Sequence, residues 1–184
     1  MATTAPLVIA RPGTPASASN RHAVLAWFIC TGLPLGLFGL VNLGTERLGI
    51  LPLFFAPFGL PGWVGAIVHL AQLALLGSAY WAVTQSAARS PARFWLIALI
   101  LGYVALPFVT PPLDSLQLSL VCSALFLLAL ATISRAGAAS RLAAWLMAPM
   151  LAIVGFSAIM GLAISAAYAP PFALMLGHDT PPTS

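Results

Sequence analysis

Charge is what this sequence has least of. Only 5% of its 184 residues are Asp, Glu, Lys or Arg, against about a quarter in a soluble domain. Lysine is absent, and the seven basic side chains are all arginines, set against three acids, Glu46, Asp114 and Asp179. So few charges cannot coat a water-facing surface, which excludes an ordinary soluble globule. They form no basic run and no basic–aromatic alternation, so the net charge of +4 does not describe a nucleic-acid surface. The lack of lysine beside abundant Ala, Gly and Arg reads as the product of a GC-rich bacterial gene.

Cysteine is nearly absent too. Cys30 and Cys122 each sit within an apolar run with no second thiol nearby, which suits apolar filler rather than a disulfide framework. The three histidines, His22, His69 and His178, form no ligand pair at helical spacing, so no metal set is expected. Catalytic patterns are missing as well: there is no HExxH, no P-loop, no GxGxxG and no Ser/His/Asp arrangement at one depth. The acids fall in loops and a tail, so the chain lacks the intramembrane carboxylates that a proton-driven transporter needs. An enzyme and an ion-coupled pump are both disfavoured.

What the sequence does have is apolar length. Hydrophobic residues make up 61% of it, with a mean hydropathy of +1.03. A bilayer core of about 30 Å takes about 20 apolar residues per helix. The runs between charges give five such spans, 22–43, 62–84, 93–110, 115–134 and 141–168. The expected fold class is therefore an all-α membrane protein, a five-transmembrane-helix bundle. Residues 1–21 read as a disordered cytoplasmic tail, 44–61 as a loop, and the proline-rich 169–184 as an external tail. The first span lacks a small-residue cleavage site and is expected to act as an uncleaved anchor.

The charges sort by side. Arg11, Arg21, Arg89, Arg93, Arg135 and Arg141 fall on one side of this topology; Arg47 and all the acids fall on the other. The positive-inside rule then places the N-terminus in the cytoplasm and the C-terminus in the periplasm, in a bacterial inner membrane.

Lipid offers no hydrophobic force between helices, so small residues are expected to mediate packing. The first span offers Gly32, Gly36 and Gly39 around a kinking Pro34; the fifth offers Ala144, Ala148, Ala152, Gly155, Ala158 and Gly161, interrupted by Pro149. Trp27, Trp81, Trp95 and Trp145 fall near span ends, as an aromatic belt would place them.

His69 and Gln72 stand out within the otherwise apolar second span. Three residues apart, they share a helix face with Gly65 and Leu76, and that face should turn away from hydrocarbon. Two readings stand side by side. Each side chain bonds a backbone or hydroxyl group on a neighbouring helix, or the pair lines a pocket and touches a ligand. In the second case the imidazole could serve as an axial ligand to a tetrapyrrole metal. The loop before this span carries Leu51, Phe54, Phe55 and Phe58, too apolar for water, and reads either as a lid over a lipophilic site or as an interfacial anchor. Trp63 stands where that loop meets the helix.

These segments resemble the TspO/MBR family of tryptophan-rich sensory and translocator proteins. The resemblance rests on Pro61-Gly62-Trp63-Val64, then Gly77 and Tyr80-Trp81, and on Pro149, Phe156 and Ile164 in the fifth span. It covers residues 22–168 and implies a cavity between helices one, two and five, closed by loop 44–61. Members bind porphyrins and other tetrapyrroles, sterols and synthetic aromatic ligands. The resemblance points to Trp63 and Phe156 as ligand contacts, and the lid reading adds Phe58. Several family positions differ. His69 replaces a Trp and Leu73 a Tyr; Ala98, Gly102 and Ala105 replace polar and Trp residues of the third helix; Ile153 and Gly161 replace Trp and Asn in the fifth.

Two functions follow. One is a TspO-like protein binding, transporting or sensing a flat hydrophobic ligand such as haem, another porphyrin or a (bacterio)chlorophyll. The other is a non-catalytic structural or assembly subunit of a larger photosynthetic or respiratory membrane complex, with the fold kept and the pocket lost. The expected partners are the lipid bilayer, a lipophilic small molecule, and a second copy of the chain or a larger complex.

Overall fold

A computed structural model describes residues 16–54, 60–86 and 90–168. They form five helices: α1 (Ala16–Arg47), α2 (Gly62–Ser86), α3 (Ala92–Val109), α4 (Ser115–Ala139) and α5 (Arg141–Tyr168). All five are long and apolar enough to cross a bilayer. At about 1.5 Å per residue, the 18 residues of α3 nearly match the hydrocarbon thickness. The other four overrun it, and α1, α2 and α4 run beyond the spans read from hydropathy. Apolar length marks the lipid-facing stretch, whereas the helix continues until a cap or proline stops it.

The stops are written in the sequence. α1 ends in a Schellman motif: Gly49 adopts φ 74° and its N–H bonds the Glu46 carbonyl at 3.0 Å, while Ile50 N–H reaches the Thr45 carbonyl at 2.9 Å. Residues 44–47 thus belong to α1, and the loop expected over 44–61 begins after them. α4 starts with a capping box, in which Asp114 Oδ1 accepts from the Gln117 N–H at 2.7 Å and Gln117 Oε1 accepts from the Asp114 N–H at 3.3 Å.

α2 is the central rod, packed against every other helix, with α1 on its outer flank and the α4–α5 hairpin opposite. Its inward face runs through Gly65, His69, Gln72, Leu73, Leu76, Gly77 and Val83. Leu96 and Leu99 of α3 and Met147 and Met150 of α5 complete a dry core beside it. Large apolar side chains such as Leu40, Phe94, Leu127 and Ile159 point outward. They meet acyl chains rather than water.

The α1–α2 crossing shows how two backbones come together without hydrophobic pressure. Pro34 has no N–H to give the Cys30 carbonyl one turn back. That carbonyl lies over Gly77, where a Cβ would collide with it and would stand 2.8 Å from Thr31 Cα. Thr31 Oγ1 and Ser78 Oγ then hydrogen-bond across the crossing at 3.0 Å. The small-residue stripe expected on α1 behaves otherwise. A Cβ on Gly32, Gly36 or Gly39 would meet nothing within 4 Å, so the close approach is made by α2's glycine instead. On α5 the small residues do pack closely: Gly155 sits under the Phe126 ring, and Gly161 against Ser119.

Gly77→Val should separate α1 from α2 and lower stability by about 1–3 kcal/mol. Gly36→Val should leave the melting midpoint near wild type. Thermal unfolding followed by circular dichroism in detergent distinguishes the two.

Candidate functional site

At the end of the bundle where α2 and α4 begin and α3 and α5 finish, the helices part around a cavity of about 340 Å³. Gly65, His69 and Gln72 of α2, Tyr103 and Pro107 of α3, Cys122 of α4, and Ile153, Ser157 and Gly161 of α5 line it, with Leu53 and Phe54 over them. No α1 residue lines it. The expected enclosure by helices one, two and five is therefore corrected to α2 through α5. The reason is packing: α1 lies against the far side of α2 and α3, and its Phe38 ring fills the space behind the imidazole.

The roof is held by two prolines. A helical carbonyl at Pro107 would look for the N–H of residue 111, which is also a proline and has none. Leu53 N–H bonds this orphaned oxygen at 2.8 Å, and Thr110 Oγ1 donates to it at 3.3 Å. The loop after α1 is thereby tied to the end of α3, which brings Phe54 over His69.

His69 is buried at 6% exposure within a box of rings. Its imidazole stacks on Tyr103 with centroids 4.3 Å apart and planes 21° apart. Phe38 stands 5.5 Å away and Phe54 5.6 Å away, while Phe108 backs Phe38 at 5.4 Å. Such contacts contribute about 0.5–1.5 kcal/mol per aromatic pair beyond simple burial. Gln72, 3% exposed, accepts a hydrogen bond at Oε1 from the Tyr103 hydroxyl. Its Nε2 and the Nε2 of His69 have no hydrogen-bond partner among the described residues.

Of the residues expected at a ligand, the structure brings His69 and Gln72 together on the cavity wall. Trp63 lies in the first turn of α2, 65% exposed and off the lining. Phe156 is 41% exposed and also off the lining: Ile153, Ser157 and Gly161 turn inward, and a neighbour one residue away points about 100° elsewhere. Phe58 falls outside the described residues. Ile153, Gly161 and Ile164, all positions singled out by the resemblance, do line the cavity, whereas Ala98, Gly102 and Ala105 do not. Tyr103 and Phe38 went unnoticed in the sequence. The signal for Tyr103 was available: a phenol two-thirds of the way along an apolar span needs a partner as much as the Gln72 carboxamide does.

Five bilayer-length helices, α2 at their centre, around a largely apolar cavity with a small polar wall define a multi-pass α-helical membrane protein. The TspO/MBR family profile matches residues 33–167, and the chain belongs to that family. No curated protein and no solved structure matches it.

Tyr103→Phe should destabilise the protein by about 1–3 kcal/mol, because it leaves the buried Gln72 oxygen unpaired. Adding Gln72→Leu to that variant should restore most of the loss, since both partners are then apolar. A double-mutant cycle in detergent measures this non-additivity.

Proposed function

We propose that this protein is a non-catalytic binding protein for a flat hydrophobic ligand, which it takes into the α2–α5 cavity to carry or sense. Tetrapyrroles are the class that the family resemblance suggests. The observation that carries the reading is the wall formed by His69 and Gln72. Both side chains line the cavity and each carries a buried nitrogen with no hydrogen-bond partner among the described residues, and a purely structural subunit gains nothing from that arrangement. A lost pocket would be expected to fill with apolar side chains, since an unpaired buried amide costs about 1–3 kcal/mol.

In this reading the stacked His69–Tyr103 pair forms one wall for a flat ligand, and Phe54 closes over it. Where the ligand is a metallated macrocycle, the His69 imidazole would supply the axial nitrogen. Trp63, at the exposed start of α2, contributes at the entrance; Phe156 supports α5 from outside the cavity. The protein sits in a bacterial inner membrane with the Arg-rich loops in the cytoplasm, so the cavity lies in the periplasmic half.

Titration of the purified protein with haem and with metal-free protoporphyrin tests the binding reading. Quenching of Trp fluorescence is expected with both, and a Soret shift with haem that His69→Ala abolishes. Absence of any signal with either ligand would overturn the tetrapyrrole assignment. Topology has its own check: alkaline phosphatase fused after residue 184 should be active, and fused within 87–91 inactive.

A further inference from the structure

We infer that the cavity selects a neutral ligand bearing a carbonyl oxygen, and that the Gln72 carboxamide is the group that reads it. This rests on the ligand-binding reading above and specifies its polar half.

A primary amide has one accepting end and one donating end. In Gln72 the accepting end is taken, because Oε1 receives the Tyr103 O–H. The donating end is therefore fixed in direction, and it is buried without a partner among the described residues on a side chain that lines the cavity. The reverse flip would set the amide hydrogens against the phenol oxygen and leave the Tyr103 O–H in need of an acceptor, and Tyr103 makes no second hydrogen bond among the described residues. Tyr103 is thus a positioning residue for the carboxamide. The wall asks for an acceptor, and one turn away His69 Nε2, without a partner among the described residues, adds a second polar atom.

Neutrality follows from what the lining lacks. No Arg, Lys, Asp or Glu lines the cavity among the described residues, so a carboxylate or ammonium inside it would be buried with no counter-charge, and the propionates of a haem or protoporphyrin must stay outside this lining. A volume of about 340 Å³ lies at the compact end of ligand sites, which run from about 300 to 1,000 Å³. The fitting class is a flat, apolar ring system whose polar feature is a ketone, ester or lactam carbonyl.

Fluorenone and fluorene, which share a ring frame and differ at the carbonyl, make the test. Calorimetric titration of the full-length protein in detergent should show fluorenone binding about tenfold more tightly, the worth of one buried hydrogen bond. That ratio should fall to near one in Gln72→Leu and shrink in Tyr103→Phe, whose carboxamide is no longer held. A fluorenone carboxylate should bind more weakly than fluorenone itself. Circular dichroism confirms that each variant is folded, and Tyr103→Phe serves if Gln72→Leu does not fold. Equal affinity for ketone and hydrocarbon in the wild-type protein would overturn the carbonyl assignment and leave the binding function standing. Binding of neither would remove both. A preference that survives intact in a folded variant would overturn the role given to Gln72.

Discussion

Inside a bilayer there is no water to rescue an unpaired polar group, and that scarcity governs the whole of this structure. Each unsatisfied group costs several kcal/mol in hydrocarbon. The Gln72–Tyr103 hydrogen bond is the clearest response, because it joins a buried carboxamide of α2 to the only tyrosine of α3. Once it forms, the register between the two helices is fixed, and His69 is carried onto the Tyr103 ring. The same scarcity acts on the backbone. Pro34 frees the Cys30 carbonyl, and α2 brings Gly77 beneath it; the Pro107–Pro111 pair frees another carbonyl, and Leu53 supplies the missing N–H. Proline frees a carbonyl in each case; at Pro107 the Leu53 N–H bonds it, and at Pro34 the Gly77 backbone packs against it.

This makes α2 the element on which both stability and site depend. Its C-terminal half is a dry packing surface through Leu76, Ala79 and Val83, where exposure is zero. Its N-terminal half carries Gly65, His69 and Gln72 along the cavity. The two halves share one face, so the core that anchors the helix also sets the depth at which the polar pair stands. α4 and α5, the most extensively packed pair, form a rigid far wall whose small residues, Gly155 and Gly161, let Phe126 and Ser119 approach closely.

Much of this was legible in the sequence. Five spans could be counted because charges interrupt apolar runs, and an inward face on α2 followed from two polar residues three apart. The limits are equally physical. Helix ends were misjudged at α1 because hydropathy reports lipid contact, whereas the terminus is set by Gly49 and its backbone bonds. The glycines of α1 looked like a packing stripe, yet composition cannot say which helix presents its back to which neighbour. Trp63 and Phe156 mark the family pattern, but a pattern fixes positions along a helix and not the side that a cavity will occupy. Tyr103 escaped notice because its partner, Gln72, lies on another helix, and the sequence does not show which faces of α2 and α3 meet.

The position of the cavity has a cause of its own. Prolines 107, 111 and 112 gather where α3 ends, and helices cannot stay tightly paired through such a stretch. The opposite end of the bundle holds no such break among the described residues. There Arg93 reaches the Thr84 carbonyl at 3.3 Å and Arg135 stacks over Trp95 at 4.2 Å, so arginines and tryptophans close the gap between helices. One end of the bundle is thus tied shut by its cationic side chains, and the other is parted by proline and roofed by an apolar loop. At that end Leu53 and Phe54 cover the cavity, and Phe54 stands over His69.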